Sequence, residues 1–314
     1  GSSCVASSSA RSDMAASAPP VKLARTDQPP PCLPSAAPLP HRAWRSAGGG
    51  TSSSEDGDGV LTVATFNVQA EAFEYEASQW DPWRVRCQRL IAAALQEDPD
   101  VICLQEVDHF DDFFEPELGR RGYAGHFVPK TKNPKKPHLP TEGQAIFVRT
   151  ATLEVRDRYC WTSLNLTKNK RLLNLWKAAL RPDGYKTVFG TDAKLQMLPQ
   201  VVLGLVLRPR LPDGFGPELL CTSLHLKSTV KQVILDQLGV SAEELKLHQF
   251  EAFVGAARRA VGEGVPLLCC GDLNQPMSAG GLRAAVAREG FVDAYDGATP
   301  QGHADPIDFI LLGG

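Results

Sequence analysis

Several polar residues of the sequence fall in or just after segments that have the character of buried strands. In VICLQEV, residues 101–107, an apolar run ends on Gln105 and then on the acidic Glu106. This pattern is typical of a core strand that brings a carboxylate to a sheet edge. Because strand ends on one edge of a sheet converge, we expect such residues to share one pocket. The candidates are Asn67, Glu106, His225, Asp272 and Asn274, with Asp308 as a sixth.

The types of these residues favour a hard divalent cation and the hydrolysis of a phosphate ester. Carboxylate and amide oxygens suit Mg²⁺ or Mn²⁺, with water and substrate phosphate completing the coordination shell. Hydrolysis requires an oriented water and stabilisation of the charge on the phosphoryl oxygens. We predict that Asp272 accepts a proton from the water, that Asn274 aligns it and that His225 donates to a phosphoryl oxygen.

Each candidate also has a purely structural interpretation. Asn67 could close a turn, His225 could be a core histidine and Asp308 could pair with a lysine. The segment GDLN, residues 271–274, could form a tight turn after a strand. The functional interpretation is favoured because these residues occur together at strand ends. The sequence also contains no GxSxG, no Walker A motif and no GxGxxG at a strand-to-helix junction that would compete with it.

The elements that must position these residues alternate between strands and helices, which indicates an α/β fold. In the first half we predict strand, helix, strand, helix and strand at residues 61–68, 81–97, 101–107, 113–121 and 144–149. The second half begins with strands at 201–207 and 219–226. A helix follows, with an apolar face of Leu245, Phe250, Phe253, Val254 and Ala257. A strand at 265–270, a helix at 281–289 and a strand at 306–312 complete the pattern.

Composition sets the limits of this interpretation. Of the 314 residues 43% are hydrophobic, which is enough for a substantial core. We expect a catalytic domain over residues 59–314 and a disordered leader over residues 1–58, which are dominated by Ser, Ala, Pro and Gly. The net charge is only −3, so a local basic cluster must hold any anionic ligand. No run approaches about 18 continuous apolar residues, so we expect no interaction with a membrane.

The eight cysteines are scattered and show no CxxC or Cys/His spacing suited to zinc. They predict buried thiols in a reducing compartment. We therefore expect a cytoplasmic protein. The alternative is an organelle, because the leader contains scattered Arg and Lys with few acids.

Two lysine-rich segments are candidate phosphate contacts. Lys130, Lys132, Lys135 and Lys136 lie in the loop PKTKNPKKPHLP between two predicted strands. They could attract phosphates or form a solvated cationic loop. A second basic run at 165–190 is interpreted as a surface face.

The motifs TFNV, CLQEV, TSLHLKS, GDLNQP and PIDFIL occur in the order that characterises the endonuclease/exonuclease/phosphatase superfamily, with its DNase I-like fold. The segments CLQEVDHF, PELGRRGYAGHFVPK and EGQAIF resemble the nocturnin-like deadenylase branch. From about Leu61 onward, this resemblance implies a four-layer sandwich of two mixed β-sheets flanked by helices. It implies that Glu106 binds the metal with Asn67 beside it. It also implies that Asp272 and Asn274 handle the water, and that His225 contacts the scissile phosphate.

The resemblance further implies that Lys130 and Lys227 contact substrate phosphate, and it includes two departures. Nocturnin-like proteins carry an arginine two residues after the second lysine, where this sequence has Thr229. Family members also end on a Ser-Asp-His strand whose histidine leans on an aspartate matching Asp308. No such strand follows here, so either the catalytic domain is C-terminally incomplete or the protein has lost a catalytic residue. We expect the first, and we expect the chain to be less stable and less active than a complete form.

Three functions follow as hypotheses. The first is a Mg²⁺-dependent 3′–5′ exoribonuclease that removes nucleoside monophosphates from a polyadenylate-like RNA 3′ end. The second is a 2′-phosphatase acting on nicotinamide dinucleotide phosphates. The third is a catalytically silent module that binds RNA or nucleotides.

Overall fold

The computed structural model describes residues 61–71, 83–130, 141–162, 185–189, 200–226, 230–262, 264–278, 281–294 and 308–313. The predicted leader, Lys227, Thr229 and the lysines of the 131–140 loop lie outside these residues. So does most of the second basic run, of which residues 185–189 are described.

The first sheet has four strands in the order β1-β2-β4-β3. They are β1 (Val63–Asn67), β2 (Val101–Val107), β3 (Tyr123–Pro129) and β4 (Gly143–Arg149). β1 runs parallel to β2, while β4 is antiparallel to both of its neighbours. The predicted strand, helix and strand unit at the start of the domain is confirmed, because α1 (Trp83–Ala94) connects these two parallel strands.

The second sheet has the strand order β11-β12-β10-β9-β7-β5-β6, and the short β8 pairs with β7. Its strands are β5 (Leu153–Thr162), β6 (Lys186–Phe189), β7 (Val201–Leu211), β8 (Gly214–Phe215), β9 (Leu219–His225), β10 (Leu267–Asp272), β11 (Phe291–Asp293) and β12 (Asp308–Gly313). β9 and β10 are parallel, so their carboxyl ends lie side by side.

The helices cover the outer faces of the two sheets. α1 packs on the first sheet through its apolar residues, which include Cys87, Leu90 and Ile91. α2 (Glu115–Gly119) also lies on this face, whereas α3 (Gln232–Leu238) packs on the start of α4 (Ala242–Val261). α4 and α5 (Leu282–Arg288) cover the second sheet. A capping box starts α4, since Ser241 Oγ accepts from Glu244 N and Glu244 Oε2 accepts from Ser241 N.

A third apolar layer lies between the two sheets, and it completes the predicted four-layer sandwich. Alternation along β9 shows the division, because Leu220 and Leu224 face the helices while Leu219 and Cys221 face the other sheet. The predicted apolar face of α4 is confirmed, since all five of its residues are buried. None of the helices described combines the length and apolar character that crossing a bilayer demands.

Two features differ from the sequence prediction. The helix expected at 113–121 begins instead with a π-helical turn at Phe110–Phe114, and α2 follows it. Strands β3, β5, β6, β8 and β11 and helix α3 were not predicted. In β5, LEVRDRYCWT, three consecutive charged residues, Arg156, Asp157 and Arg158, interrupt the apolar positions, and a register shift occurs between Val155 and Asp157. The apolar run that marks a core strand is therefore absent there.

Candidate active site

The carboxyl ends of four strands meet at one edge of the sandwich. β1 and β2 end there in the first sheet, with Asn67 opposite Gln105 in register. β9 and β10 end there in the second sheet, with His225 opposite Asp272. The structure thus brings four of the predicted residues within direct contact of one another: Asn67, Glu106, His225 and Asp272.

Glu106 reaches this edge because the strand that carries it is bulged. Gln105 points between the sheets, where it is fully buried and donates to Ser223 Oγ at 3.0 Å. Simple alternation would direct Glu106 to the opposite face. The register with β4 shifts between Leu104 and Val107, and Glu106 adopts a φ of 57°. A bulge of this kind re-aims a side chain, and here it turns the carboxylate toward the strand ends.

The side-chain amide of Asn67 joins the two carboxylates. Its Nδ2 donates to Glu106 Oε1 at 2.9 Å and to Asp272 Oδ2 at 3.2 Å. Its Oδ1 accepts from Gln69 N at 2.9 Å, which fixes the turn that follows β1. The two interpretations of Asn67 are therefore compatible, since one side chain closes a turn and also lies within the pocket.

The turn after β10 holds Asp272 and Asn274 in a fixed relation. Asn274 N donates to Asp272 Oδ1 at 2.6 Å, and Asn274 Nδ2 donates to Leu226 O at 2.9 Å. Just before it, Gly271 has a φ of 145°, and a Cβ there would lie 1.9 Å from Leu224 O. Glycine is required at this position because the β9 backbone passes so close to it.

His225 lies between the carboxylates and a lysine. Its Nε2 is 3.8 Å from Glu106 Oε1 and 3.8 Å from Asp272 Oδ2. On the other side of the ring, Lys130 Nζ is 3.3 Å from Nδ1, and the same ammonium bonds both Glu142 oxygens at 3.0 and 3.1 Å. An ammonium can only donate, so Nδ1 accepts and the proton of a neutral ring resides on Nε2. The ring therefore presents an N–H to the pocket.

The geometry suits a hard cation. The side chains of Glu106 and Asp272 are only 15% and 5% exposed, and both carboxylates are drawn to the same amide nitrogen. Two negative charges this close and this poorly solvated repel each other, and a divalent cation between them would offset that cost. Carboxylate oxygens are the ligands that Mg²⁺ and Mn²⁺ prefer.

The loop after β1 has supports that the sequence did not single out. The buried guanidinium of Arg86 donates to Val68 O and, at 2.8 Å, to Gln69 O. Ala70 N donates to Glu106 Oε2 at 3.4 Å, so this loop also touches the carboxylate. A charged residue on the buried face of a predicted helix is the signal that could have identified Arg86.

His109 supports the same loop from its far end. Its ring stacks on Trp83 with centroids 4.3 Å apart, and it bonds Asp112 Oδ2 at 2.8 Å and Glu71 Oε2 at 2.9 Å. Burial lowers the pKa of His109, but the bonds to the Asp112 and Glu71 carboxylates outweigh it and leave the pKa raised. The imidazolium therefore bridges the loop to the π-helical turn.

The other predicted site residues, Lys130, Asp308 and Lys227, differ in where they lie relative to the pocket. Lys130 lies in the pocket but is held by Glu142, which the sequence analysis did not select. The backbone of Asp308 lies opposite Asp272 in the register of β12 with β10. Lys227 falls outside the described residues. Glu142 directly precedes β4 in the segment EGQAIF, so its position before a strand was the available signal.

A second cluster of ligand-type residues lies deeper in the sandwich. The sulfur atoms of Cys103, Cys221 and Cys270 all lie within 4.8 Å of one another, and the Cys103 and Cys221 sulfurs are 3.7 Å apart. All three side chains are fully buried between the sheets. Burial raises the pKa of the Cys103 thiol well above its usual range, so it behaves as a small apolar group. The six cysteines of the described ranges are buried and form no disulfide, which agrees with the predicted buried thiols.

The amino-acid sequence is similar to those of known proteins. The sequence model described as the Endonuclease/Exonuclease/phosphatase family matches residues 64–314. Carbon catabolite repressor protein 4 homolog 1 of Arabidopsis thaliana is 27% identical over 299 residues, covering 88% of this chain and 46% of that protein. Nocturnin of Drosophila melanogaster is 28% identical over 195 residues, covering 61% of this chain and 24% of that protein. The chain therefore spans less than half the length of these two relatives.

Solved structures share the fold. The human Nocturnin catalytic domain with bound sulfate anion has a TM-score of 0.57 at 22% identity, covering 81% of this chain and 82% of that one. ANGEL2, a 2′,3′-cyclic phosphatase, has a TM-score of 0.52 at 18% identity, covering 79% of this chain and 63% of that one. At these identities the similarity establishes the architecture, and it confirms the predicted DNase I-like sandwich.

Proposed function

The chain belongs to the endonuclease/exonuclease/phosphatase family, and from this premise we propose that it hydrolyses phosphate esters with a divalent cation held at Glu106. One observation carries the proposal. Glu106 and Asp272 both accept from the Asn67 amide nitrogen, while His225 Nε2 lies 3.8 Å from a carboxylate oxygen of each. This pocket combines acceptors for a cation with a donor for a phosphoryl oxygen.

The roles of the side chains follow from their hydrogen bonds. Asp272 Oδ1 accepts the Asn274 amide, and Oδ2 faces Asn67 and His225. A carboxylate is a proton acceptor, and in this proposal Asp272 takes the proton of the attacking water. His225 donates through Nε2 to a phosphoryl oxygen and so stabilises the charge that develops there. Asn274 fixes the direction of the Asp272 carboxylate.

Bound Mg²⁺ or Mn²⁺ would supply charge neutralisation at the phosphoryl oxygens. Glu106 would hold it directly. Asn67 would keep the Glu106 and Asp272 carboxylates directed toward the same point. Lys130, which is held by Glu142, would fix the orientation of the His225 ring.

For the substrate we propose the 3′ end of an RNA, in particular a polyadenylate tail. A relative from Yarrowia lipolytica, 27% identical over 63% of this chain, bears the name CCR4-Not complex 3′-5′-exoribonuclease subunit Ccr4. Thr229 also replaces the arginine that nocturnin-like proteins carry two residues after the lysine that matches Lys227. The cation available to hold the 2′-phosphate of a dinucleotide is thereby lost.

The test is to incubate the chain with Mg²⁺ and, in separate reactions, oligo(A), oligo(U) and a nicotinamide dinucleotide phosphate. We expect nucleoside monophosphate from oligo(A), slower release from oligo(U), and loss of product when a chelator removes the cation. Inorganic phosphate from the dinucleotide alone would instead support the 2′-phosphatase. Binding of oligo(A) with no product from any reaction would identify a silent binding module and overturn the hydrolase proposal.

A further inference from the structure

Lys246 connects α4 to the turn that carries Asp272 and Asn274. The lysine lies in the second turn of the helix, and its Nζ donates to Asn274 O at 2.6 Å. The helix itself packs on the outer face of the second sheet, where Phe250 and Val254 are buried. A rigid element on the outside of the sheet thus reaches the edge where the catalytic strand ends converge.

The residue that accepts this bond has an unusual backbone. Asn274 has a φ of 51°, a left-handed conformation that is uncommon outside glycine and that asparagine adopts more readily than most residues. Such a conformation persists when the surrounding contacts over-determine it. Here Asn274 N is held by Asp272 Oδ1, its side-chain Nδ2 by Leu226 O, and its carbonyl by Lys246. The ammonium provides the contact that comes from outside the two strand ends.

The position of Lys246 is unfavourable for a lysine with no other task. Partial burial of the side chain lowers its pKa, although the Glu243 and Asp272 carboxylates oppose that shift. This cost is offset by the bond to Asn274 O and by attraction to Asp272, which are both interactions with the turn after β10.

We propose that Lys246 is a positioning residue that clamps the Asn274 turn and thereby aims the Asp272 carboxylate at the reacting water. The proposal rests on the hydrolase function proposed above. Lys246 acts through the Asn274 carbonyl and is not itself a catalytic residue. Its loss should free the turn to leave the left-handed conformation, and Asp272 Oδ1 would then lose the Asn274 amide that orients it.

The first experiment compares the steady-state kinetics of Lys246→Met, Lys246→Arg and Lys186→Met. Lys186 is the control lysine, because its ammonium is also held by an oxygen acceptor, Asp157 Oδ2 at 2.8 Å, but it lies on the edge strand β6. We expect kcat of Lys246→Met to fall by about tenfold to a hundredfold with little change in KM, as for a small misplacement of a reacting group. Lys246→Arg should recover most of the rate, and Lys186→Met should equal the wild type.

The second experiment measures amide hydrogen exchange at Asn274 and needs no substrate. Removing the clamp should speed exchange of this amide by about tenfold in Lys246→Met, with the wild-type rate in Lys186→Met. If Lys246→Met does not fold, as judged by circular dichroism, Lys246→Gln takes its place. Wild-type exchange at Asn274 together with kcat within twofold of wild type would overturn the proposal.

The two measurements separate this proposal from the one on which it rests. If the wild-type chain hydrolyses none of the substrates, the proposed function is contradicted. The exchange rate of the Asn274 amide then shows only whether Lys246 holds the turn. If the wild type is active and Lys246→Met shows faster exchange at the Asn274 amide but an unchanged kcat, the proposal is also overturned. Lys246 would then hold the turn without any effect on the reaction.

Discussion

Strands β2, β9 and β10 carry two sets of residues of the types that can bind metals, one set a short distance along the strands from the other. At the carboxyl ends lie Glu106, His225 and Asp272, which bond to Asn67, Lys130 and Asn274. Two to four residues earlier on the same strands lie Cys103, Cys221 and Cys270, in the layer between the sheets.

The two sets differ in their surroundings. Glu106, His225 and Asp272 lie at an edge of the sandwich, where the Glu106 side chain is partly exposed and its neighbours are polar. The thiols are at 0% exposure among aliphatic residues. A thiol must lose its proton to bind a metal, and an apolar environment opposes that loss. A cation would therefore meet a polar, partly exposed environment at the edge and an apolar one between the sheets.

The sharpest test of this contrast removes a charge from the edge cluster. Glu106→Gln should lower kcat/KM by about a thousandfold, since several kcal/mol of charge stabilisation depend on the cation. Glu154→Gln is the control, because Glu154 pairs with Arg208 on the surface of β5 and β7. Mg²⁺ titration of activity is the measurement. A wild-type rate in Glu106→Gln would refute the assignment of the cation to this carboxylate.

Replacing His225, the hydrogen-bond donor of the pocket, should lower the rate less than replacing Glu106. His225→Gln keeps a side chain that can hydrogen-bond but removes the ring held by Lys130. We expect kcat to fall by about a hundredfold, within the range for a single acid–base or donor group. Steady-state kinetics on the accepted substrate measure it. If KM rises while kcat stays constant, His225 contributes only to binding.

Substitution of a buried cysteine between the sheets should lower the stability of the protein and leave its rate of hydrolysis unchanged. Cys103→Ser places a hydroxyl in the apolar layer, and we expect a loss of about 1–3 kcal/mol in the free energy of unfolding. Urea titration measures this, and kcat should stay within twofold of wild type. In the folded chain, iodoacetamide should leave Cys103, Cys221 and Cys270 unmodified, as read by mass spectrometry. Rapid alkylation there would show that the layer is accessible.

The smallest effect concerns pH. The folded pKa of His109 is raised above its unfolded value by Asp112 and Glu71. The resulting stabilisation is fully present below about pH 6.5, the unfolded pKa, and is lost as pH rises through the folded pKa. His109→Gln should therefore reduce the free energy of unfolding at pH 6 by up to about 1 kcal/mol, because both carboxylates are exposed. Thermal or urea unfolding at pH 6 and pH 8 measures it. An unchanged pH dependence in the variant would contradict the bridge.

Sequence patterns predicted part of the site and missed its supports. Asn67, His225 and Asp272 follow apolar runs that form strands, so their convergence could be expected. Glu142, Arg86 and Lys246 do not end an apolar run, so this pattern does not select them, and their contacts join residues 12, 17 and 28 positions apart. Strand β5 was missed for a similar reason, since its charged residues are paired across strands with residues such as Arg208.

The sequence by itself determined the α/β class, the strand ends and the kinds of ligand at them, because apolar periodicity and residue chemistry are local properties. Only the tertiary structure decided the aim of Glu106, which depends on a bulge and a positive φ within β2. It also decided the protonated nitrogen of His225, which depends on Lys130. The proximity of Cys103, Cys221 and Cys270 is likewise a result of sheet packing. These features arise from contacts between residues far apart in the chain, and no local pattern encodes them.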